Sequence, residues 1–179
     1  MSKNDYSIEA EKITVLLLSA DITKVRQGIE QCHHAHTAAI ILPLLTLLKD
    51  SGMREFHADV RTLLNSIKAD GAIDFLMKAF RNPEFHAVQA DIICALWSGP
   101  IATGKAFNEI INTALEGDYR MQMEAITLIE ENSSDITEEQ ILETFEAVTR
   151  KLNQSSDINP ILVDMHRAIS KLRANAEAE

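Results

Sequence analysis

Apolar residues recur along this chain at steps of three and four, the spacing that gathers side chains on one face of an α-helix. The densest case is residues 39–67. Ile40, Ile41, Leu44, Leu45, Leu47 and Leu48 come first, Lys49-Asp50-Ser51-Gly52 interrupts, and Phe56, Val60, Leu63, Leu64 and Ile67 follow. The first set covers so much of a helix circumference that this helix is expected to be buried on more than one side, between neighbours. The second set occupies a single face. Two amphipathic helices joined by a short polar turn are the unit predicted here.

The same unit reads through the rest of the chain. Tyr6, Ala10, Ile13 and Leu17, with Ser7 as a cap, lead to Asp21 and then to Ile22, Val25, Ile29 and Cys32. After Asp70-Gly71 come Ile73, Leu76, Met77 and Phe80. Asn82-Pro83 then has the form of a cap with proline at the first helical position, and Phe85, Val88, Ile92, Ile93 and Leu96 continue to the break at Ser98-Gly99-Pro100. A fourth pair runs through Phe107, Ile110, Ile111, Ala114 and Leu115, turns at Gly117-Asp118, and resumes with Met121, Ala125, Leu128 and Ile129. Thr137 to Gln140 has capping-box spacing ahead of Ile141, Leu142, Phe145, Val148 and Leu152, and Asn159-Pro160 opens Leu162, Met165, Ile169 and Leu172. The last residues, Ala174 to Glu179, are expected to fray. Five helix pairs are thus predicted, at about 6–34, 38–68, 70–98, 103–133 and 136–175, forming one all-α domain over 1–179.

The first helices are predicted to end at Leu18, Leu48, Phe80, Leu115 and Leu152, a repeat whose loop length drifts. The tetrapeptide Glu55-Phe56-His57-Ala58 returns as Glu84-Phe85-His86-Ala87 where a second helix begins. A first helix AAIILPLLTLLKD with an internal proline, a short turn containing Asp, and a second amphipathic helix resembles the HEAT and HEAT-like (armadillo-related) repeats. The resemblance spans nearly the whole chain and is strongest over 39–98. His57 and His86 stand about where the HEAT pattern favours Arg. It implies a right-handed α-α superhelix, a solenoid whose second helices line one side. In it Pro43 would bend a first helix to follow the curve.

Composition agrees with helices packed on helices. Hydrophobic residues make up 46% of the chain, but aromatics only 5%, and Gly (6) and Pro (4) are too few for an all-β protein. The charged start, MSKNDYSIEAEK, does not read as a signal peptide, and the apolar run Ile13–Ala20 is too short to span a bilayer. The expectation is a cytoplasmic protein without membrane contact. Cys32 and Cys94 are predicted to be free thiols, so the glycosylation sequons at Asn132 and Asn153 carry no weight. Net charge is −10, of which −2 falls in 1–115, −9 in 116–146 and +1 in 147–179. Nucleic acid is therefore a poor partner, since binding it takes a basic stripe. The acidic segment 116–146 reads as a solvated face, or alternatively as a dock for a basic partner.

Candidate chemistry is thin. Gly99 to Lys105 satisfies GxxxxGK, yet Ala106 replaces the hydroxyl residue that would hold magnesium and a helix precedes the loop where a strand is needed. Cys32, His33, His34 and His36 are possible metal ligands, but neighbours on a helix point about 100° apart, so the plain reading is a polar helix end with Cys32 in the core. His57 and His86 share a phase and read as loop-bonding histidines, with a paired or pH-sensitive contact as the sharper possibility. Trp97, the one tryptophan, reads as core. No nucleophile and base stand in a recognisable context.

Among HEAT-like enzymes, the di-iron hydroxylases carry His-Glu pairs, and none of the histidines here is followed by Glu. The HEAT-like DNA glycosylases need a basic concave face that this chain lacks. The bilin lyases have no short motif to compare, so an enzyme of lyase-like or nucleic-acid-modifying type stays the alternative, beside metal-dependent binding through Cys32, His33, His34 and His36. The primary expectation is a non-catalytic protein-interaction scaffold, a monomer or weak homodimer without cofactor or metal, binding a protein partner of basic character. Its expected contact residues are His57, Arg61, His86, Gln89, Arg120 and Gln122.

Overall fold

In a computed structural model, the residues described are 3–35, 37–131, 135–154 and 159–176, with side chains from Ile8 onward. Among them are ten α-helices and no strand. The helices are α1 (Lys3–Leu17), α2 (Ile22–Cys32), α3 (Ile41–Lys49), α4 (His57–Asn65), α5 (Ala72–Phe80), α6 (Gln89–Ser98), α7 (Phe107–Leu115), α8 (Tyr119–Glu131), α9 (Glu138–Gln154) and α10 (Pro160–Ala176). Among the described residues, no helix is long and apolar enough to cross a membrane. The chain divides into two compact units, Met1–Ile101 and Ala102–Glu179.

In the first unit α1 packs along α2, α3 on α4 and α5 on α6. First helices also meet first helices, α1 against α3 and α3 against α5, while α2 meets α4 and α4 meets α6. This explains the apolar excess of 39–49. Ile41, Pro43, Leu44, Leu45, Leu47 and Leu48 are all buried, because α3 has neighbours on several sides at once. Each such Leu or Ile contributes about 1.5–3 kcal/mol on burial. At the α1–α2 contact Gly28 is required by closeness: a Cβ there would lie 3.0 Å from Leu16 Cβ and 3.1 Å from the Leu17 backbone nitrogen.

Local signals set where these helices begin. The Asp21 side chain accepts from Thr23 N–H, Asp50 from Gly52 N–H and Asn82 from Glu84 N–H, each satisfying a donor that the first turn leaves orphaned. The caps Asp50 and Asn82 open 3-10 segments, Ser51–Phe56 and Pro83–Val88, which lead into α4 and α6. Two expectations are corrected. α1 already runs from Lys3, so Ser7 lies inside it and does not cap it. Pro43 is the third residue of α3, directly after a 3-10 turn at Ala38–Ile40, so it stands in the first turn, where its missing N–H costs little, rather than at a mid-helix bend.

In the second unit α7 packs on α8, α9 on α10, α7 on α9 and α8 on α10. Phe107, Ile110, Ile111, Ala125, Leu128, Val148, Met165 and Ile169 are fully enclosed. The capping box is formed: Gln140 N–H donates to Thr137 Oγ1 at 3.3 Å and Thr137 N–H to Gln140 Oε1 at 3.1 Å. Asn159 accepts from Ile161 N–H at 3.1 Å at the head of α10. Leu142, expected on the apolar face of α9, is 46% exposed.

Candidate functional site

In the first unit a series of side-chain ties joins consecutive helix pairs. Arg26 donates to Glu55 at 3.1 Å, 29 residues on. Asn65 donates its amide to Cys94 Sγ at 3.7 Å, again 29 residues on. Arg61 Nε donates to Asp91 Oδ1 at 2.7 Å across 30 residues. The repeated Phe of the tetrapeptide has a role in this pattern. Phe56 lies under the Arg26 guanidinium at 5.3 Å and Phe85 under the Lys49 ammonium at 4.9 Å. Each cation thus covers a buried ring from the preceding pair, a contact of about 0.5–1 kcal/mol at such half-open sites. In the second unit the ties instead link the first helices α7 and α9 and the turns flanking α7, over longer intervals. Lys151 reaches Glu116 across 35 residues, and Gln140 reaches the Gly104 carbonyl and Thr144 reaches Asn108 across 36.

The six expected contact residues fall into three groups. Gln89 and Gln122 are both only 7% exposed. The Gln89 amide donates to the carbonyl of Phe80, the last residue of α5, at 2.8 Å. That of Gln122 donates to Leu115 O, at the end of α7, at 3.5 Å and to Gly117 O at 3.3 Å. Both finish the preceding helix by satisfying its open carbonyls, so their side chains are not surface groups, and the expectation is corrected for these two. Arg61 and His57 are half-buried and engaged, Arg61 with Asp91 and His57 Nε2 with the Asp50 carbonyl at 3.0 Å. His86 and Arg120 are exposed. His57 begins α4, whereas His86 stands in the middle of its 3-10 lead-in, so the two copies of the tetrapeptide are not superimposable.

Within the acidic segment the described carboxylates Glu116, Asp118, Glu130, Glu131, Asp135, Glu138, Glu139, Glu143 and Glu146 are exposed and Glu124 is half-buried. Asp118 caps α8 through Met121 N–H, and Glu116 is bound by Lys151. Glu143 and Glu146 lie farther along α9, Glu143 accepting from the Asn108 amide, while Glu130, Glu131, Asp135, Glu138 and Glu139 stand at the end of α8 and the start of α9. There the helix macrodipole favours Glu138 and Glu139, in the first turn of α9.

Of the possible metal ligands, His36 lies outside the described residues, as do Asn132 and Ser155 of the two sequons. Cys32 is buried, and that burial raises its thiol from the usual 9.0 to about 12, so it stays protonated and binds metal poorly. His33 and His34 are exposed at the end of α2. Among the described residues no group of three His, Cys, Asp or Glu side chains converges to hold an ion. Cys32 and His33 instead border an open cleft of about 710 Å³, whose far side is formed by Leu63, Ser66, Ile67 and Lys68. The GxxxxGK stretch follows helix α6, and its Thr103 hydroxyl is buried without a partner. Trp97 is half-buried, outside the fully enclosed core.

The geometry therefore offers helix surfaces, ion pairs and open clefts. Comparison with protein-family models, with curated proteins and with solved structures finds no match to this chain.

Proposed function

We propose that this protein is a non-catalytic interaction scaffold built as a HEAT-like solenoid, whose second helices present a pre-formed binding surface. The observation that supports this best is that side-chain hydrogen bonds link consecutive helix pairs in both units, across 29–30 residues in one and 35–36 in the other. Ties from each helix pair to its neighbour help keep an extended surface rigid without a large central core. Rigidity of that kind lowers the entropy lost on binding.

The contact residues in this reading are, in the first unit, the exposed His86 with the half-buried His57 and Arg61, and, in the second unit by itself, the exposed Arg120. The acidic corner at Glu130, Glu131, Asp135, Glu138 and Glu139 serves as the dock for a basic protein segment in the cytoplasm. Opposite charge there speeds encounter and sets orientation more than it adds affinity.

The test is capture of partners from native lysate by the folded protein, compared with a Glu130→Lys/Glu131→Lys variant of unchanged thermal stability. Reproducible partners that the variant loses, and that about 0.5 M salt releases, support the proposal. Absence of any reproducible partner, or retention of a fluorescent DNA duplex at low salt, argues against it.

A further inference from the structure

Exposed aliphatic side chains line the side of α1 turned away from α2 and α3. Ile8 is 47% exposed, Val15 72%, Leu18, just past the helix, 53%, and Ile22, at the head of α2, 47%. The inward side, Ala10, Ile13 and Leu17, is buried at 4% or less. In α3 the apolar positions on every side are covered, because α1 and α5 flank it. In the first unit α1 is covered by α2, α3 and the turn at Ala38–Ile40, which leaves this stripe bare. An uncovered aliphatic stripe of this kind marks an interface.

The charges beside the stripe indicate what covers it. Ile8 and Val15 are seven residues apart and lie within about 20° of each other around the helix. Glu11 and Lys12, both exposed, fall on opposite flanks of that line, one on each side at about 100° spacing. If two α1 helices lie parallel about a two-fold axis, each Glu11 comes beside the partner's Lys12, and Ile8 and Val15 meet their own copies. An antiparallel pair would instead set Glu11 beside Glu11. The exposed charge near the stripe is balanced, with Glu11 and Asp21 against Lys12 and Lys24, and offers no basic cluster for an anionic lipid surface.

We infer that the α1 stripe is a self-association surface: two copies of this chain pair through parallel α1 helices, with Val15 at the centre and Glu11–Lys12 ties on both flanks. Four aliphatic side chains bury far less than the ~1,600 Å² of a standard interface, so the dimer is weak, with a dissociation constant of about 10 µM to 1 mM.

Sedimentation of the full chain across that concentration range should show the mass rising from 19.9 kDa toward twice that value. Val15→Glu, at a site open enough to leave the fold unchanged by circular dichroism, should remain monomeric throughout. Glu11→Lys and Lys12→Glu singly should each weaken association at least fivefold, while the double swap Glu11→Lys/Lys12→Glu should restore it. Three results would overturn the inference. The wild type stays monomeric at every concentration; Val15→Glu dimerises as well as the wild type; or the double swap is no better than the singles. Pelleting of monomeric wild type with phosphatidylserine vesicles would replace the second copy with a lipid surface.

Discussion

Arg61 on α4 and Asp91 on α6 form a 2.7 Å ion pair in which the carboxylate side is only 3% exposed and the guanidinium side 43%. The pair joins two consecutive second helices that pack on each other, so it belongs to the fold as well as to the surface. Arg61→Ala should lower stability by about 1–3 kcal/mol. This is less than the ~3–5 kcal/mol for a fully buried pair, because water reaches the arginine side. Urea denaturation at constant m-value measures it, and a loss under 0.5 kcal/mol would mean that Asp91 finds other compensation.

Gln89→Ala and Gln122→Ala each remove a donor that closes the end of the preceding helix. A buried hydrogen bond of this type is worth about 0.5–1.5 kcal/mol, and the orphaned carbonyl adds to the cost. Gln89→Ala should be the more damaging, since its bond is 2.8 Å long against 3.3–3.5 Å for Gln122. Amide exchange should rise at the ends of α5 and α7 respectively.

Gly28→Ala should destabilise the α1–α2 contact by about 1–3 kcal/mol even though alanine is the better helix former by about 1 kcal/mol. The added methyl would meet Leu16 Cβ and the Leu17 backbone at 3.0–3.1 Å. A thermal melt that rises on this substitution would show that α1 can shift away at no cost.

Cys32 ties stability to alkaline pH. The folded protein holds the thiol proton up to about 12, while the unfolded chain releases it near 9.0. The unfolded state therefore binds fewer protons between those values. Stability from this group is complete below about pH 9 and declines as pH rises from about 9 toward 12. Cys32→Ala should flatten that part of the profile relative to wild type. Alkylation at neutral pH should also reach the half-buried Cys94 well before Cys32.

Much of this architecture is legible in the sequence, because an amphipathic period and a cap are local signals. Helices predicted to end at Phe80 and Leu115 end there, and those predicted to end at Leu18 and Leu48 end one residue away. The caps at Asn82, Thr137 and Asn159 accept the bonds their spacing implies. The 3-10 lead-ins were not legible. Asp50 lies six residues before Phe56 but Asn82 only three before Phe85, so identical tetrapeptides enter their helices differently.

The candidate surface was less legible for a related reason. Helical phase treats Gln89 and Gln122 like any other polar position. Nothing within one helix reveals that a side chain turns back to the end of the previous one. Arg61 stands on a second helix as its phase implies, but its partner Asp91 sits in the next pair, thirty residues on. The cations over Phe56 and Phe85 had one clue, a ring repeated with the tetrapeptide, and no local signal for which charge would cover it.

The intervals between tied residues also bear on time. Side-chain ties that span 29 to 36 residues close loops whose entropic costs differ by only about 0.2 kcal/mol. No helix pair has to wait for a distant part of the chain before its first neighbour contact becomes favourable. Links between adjacent helix pairs close over short stretches of chain, which favours fast folding. Nascent segments find their partners about one repeat after they are made, which shortens the interval in which stripes such as that of α3 stand open to the wrong neighbour.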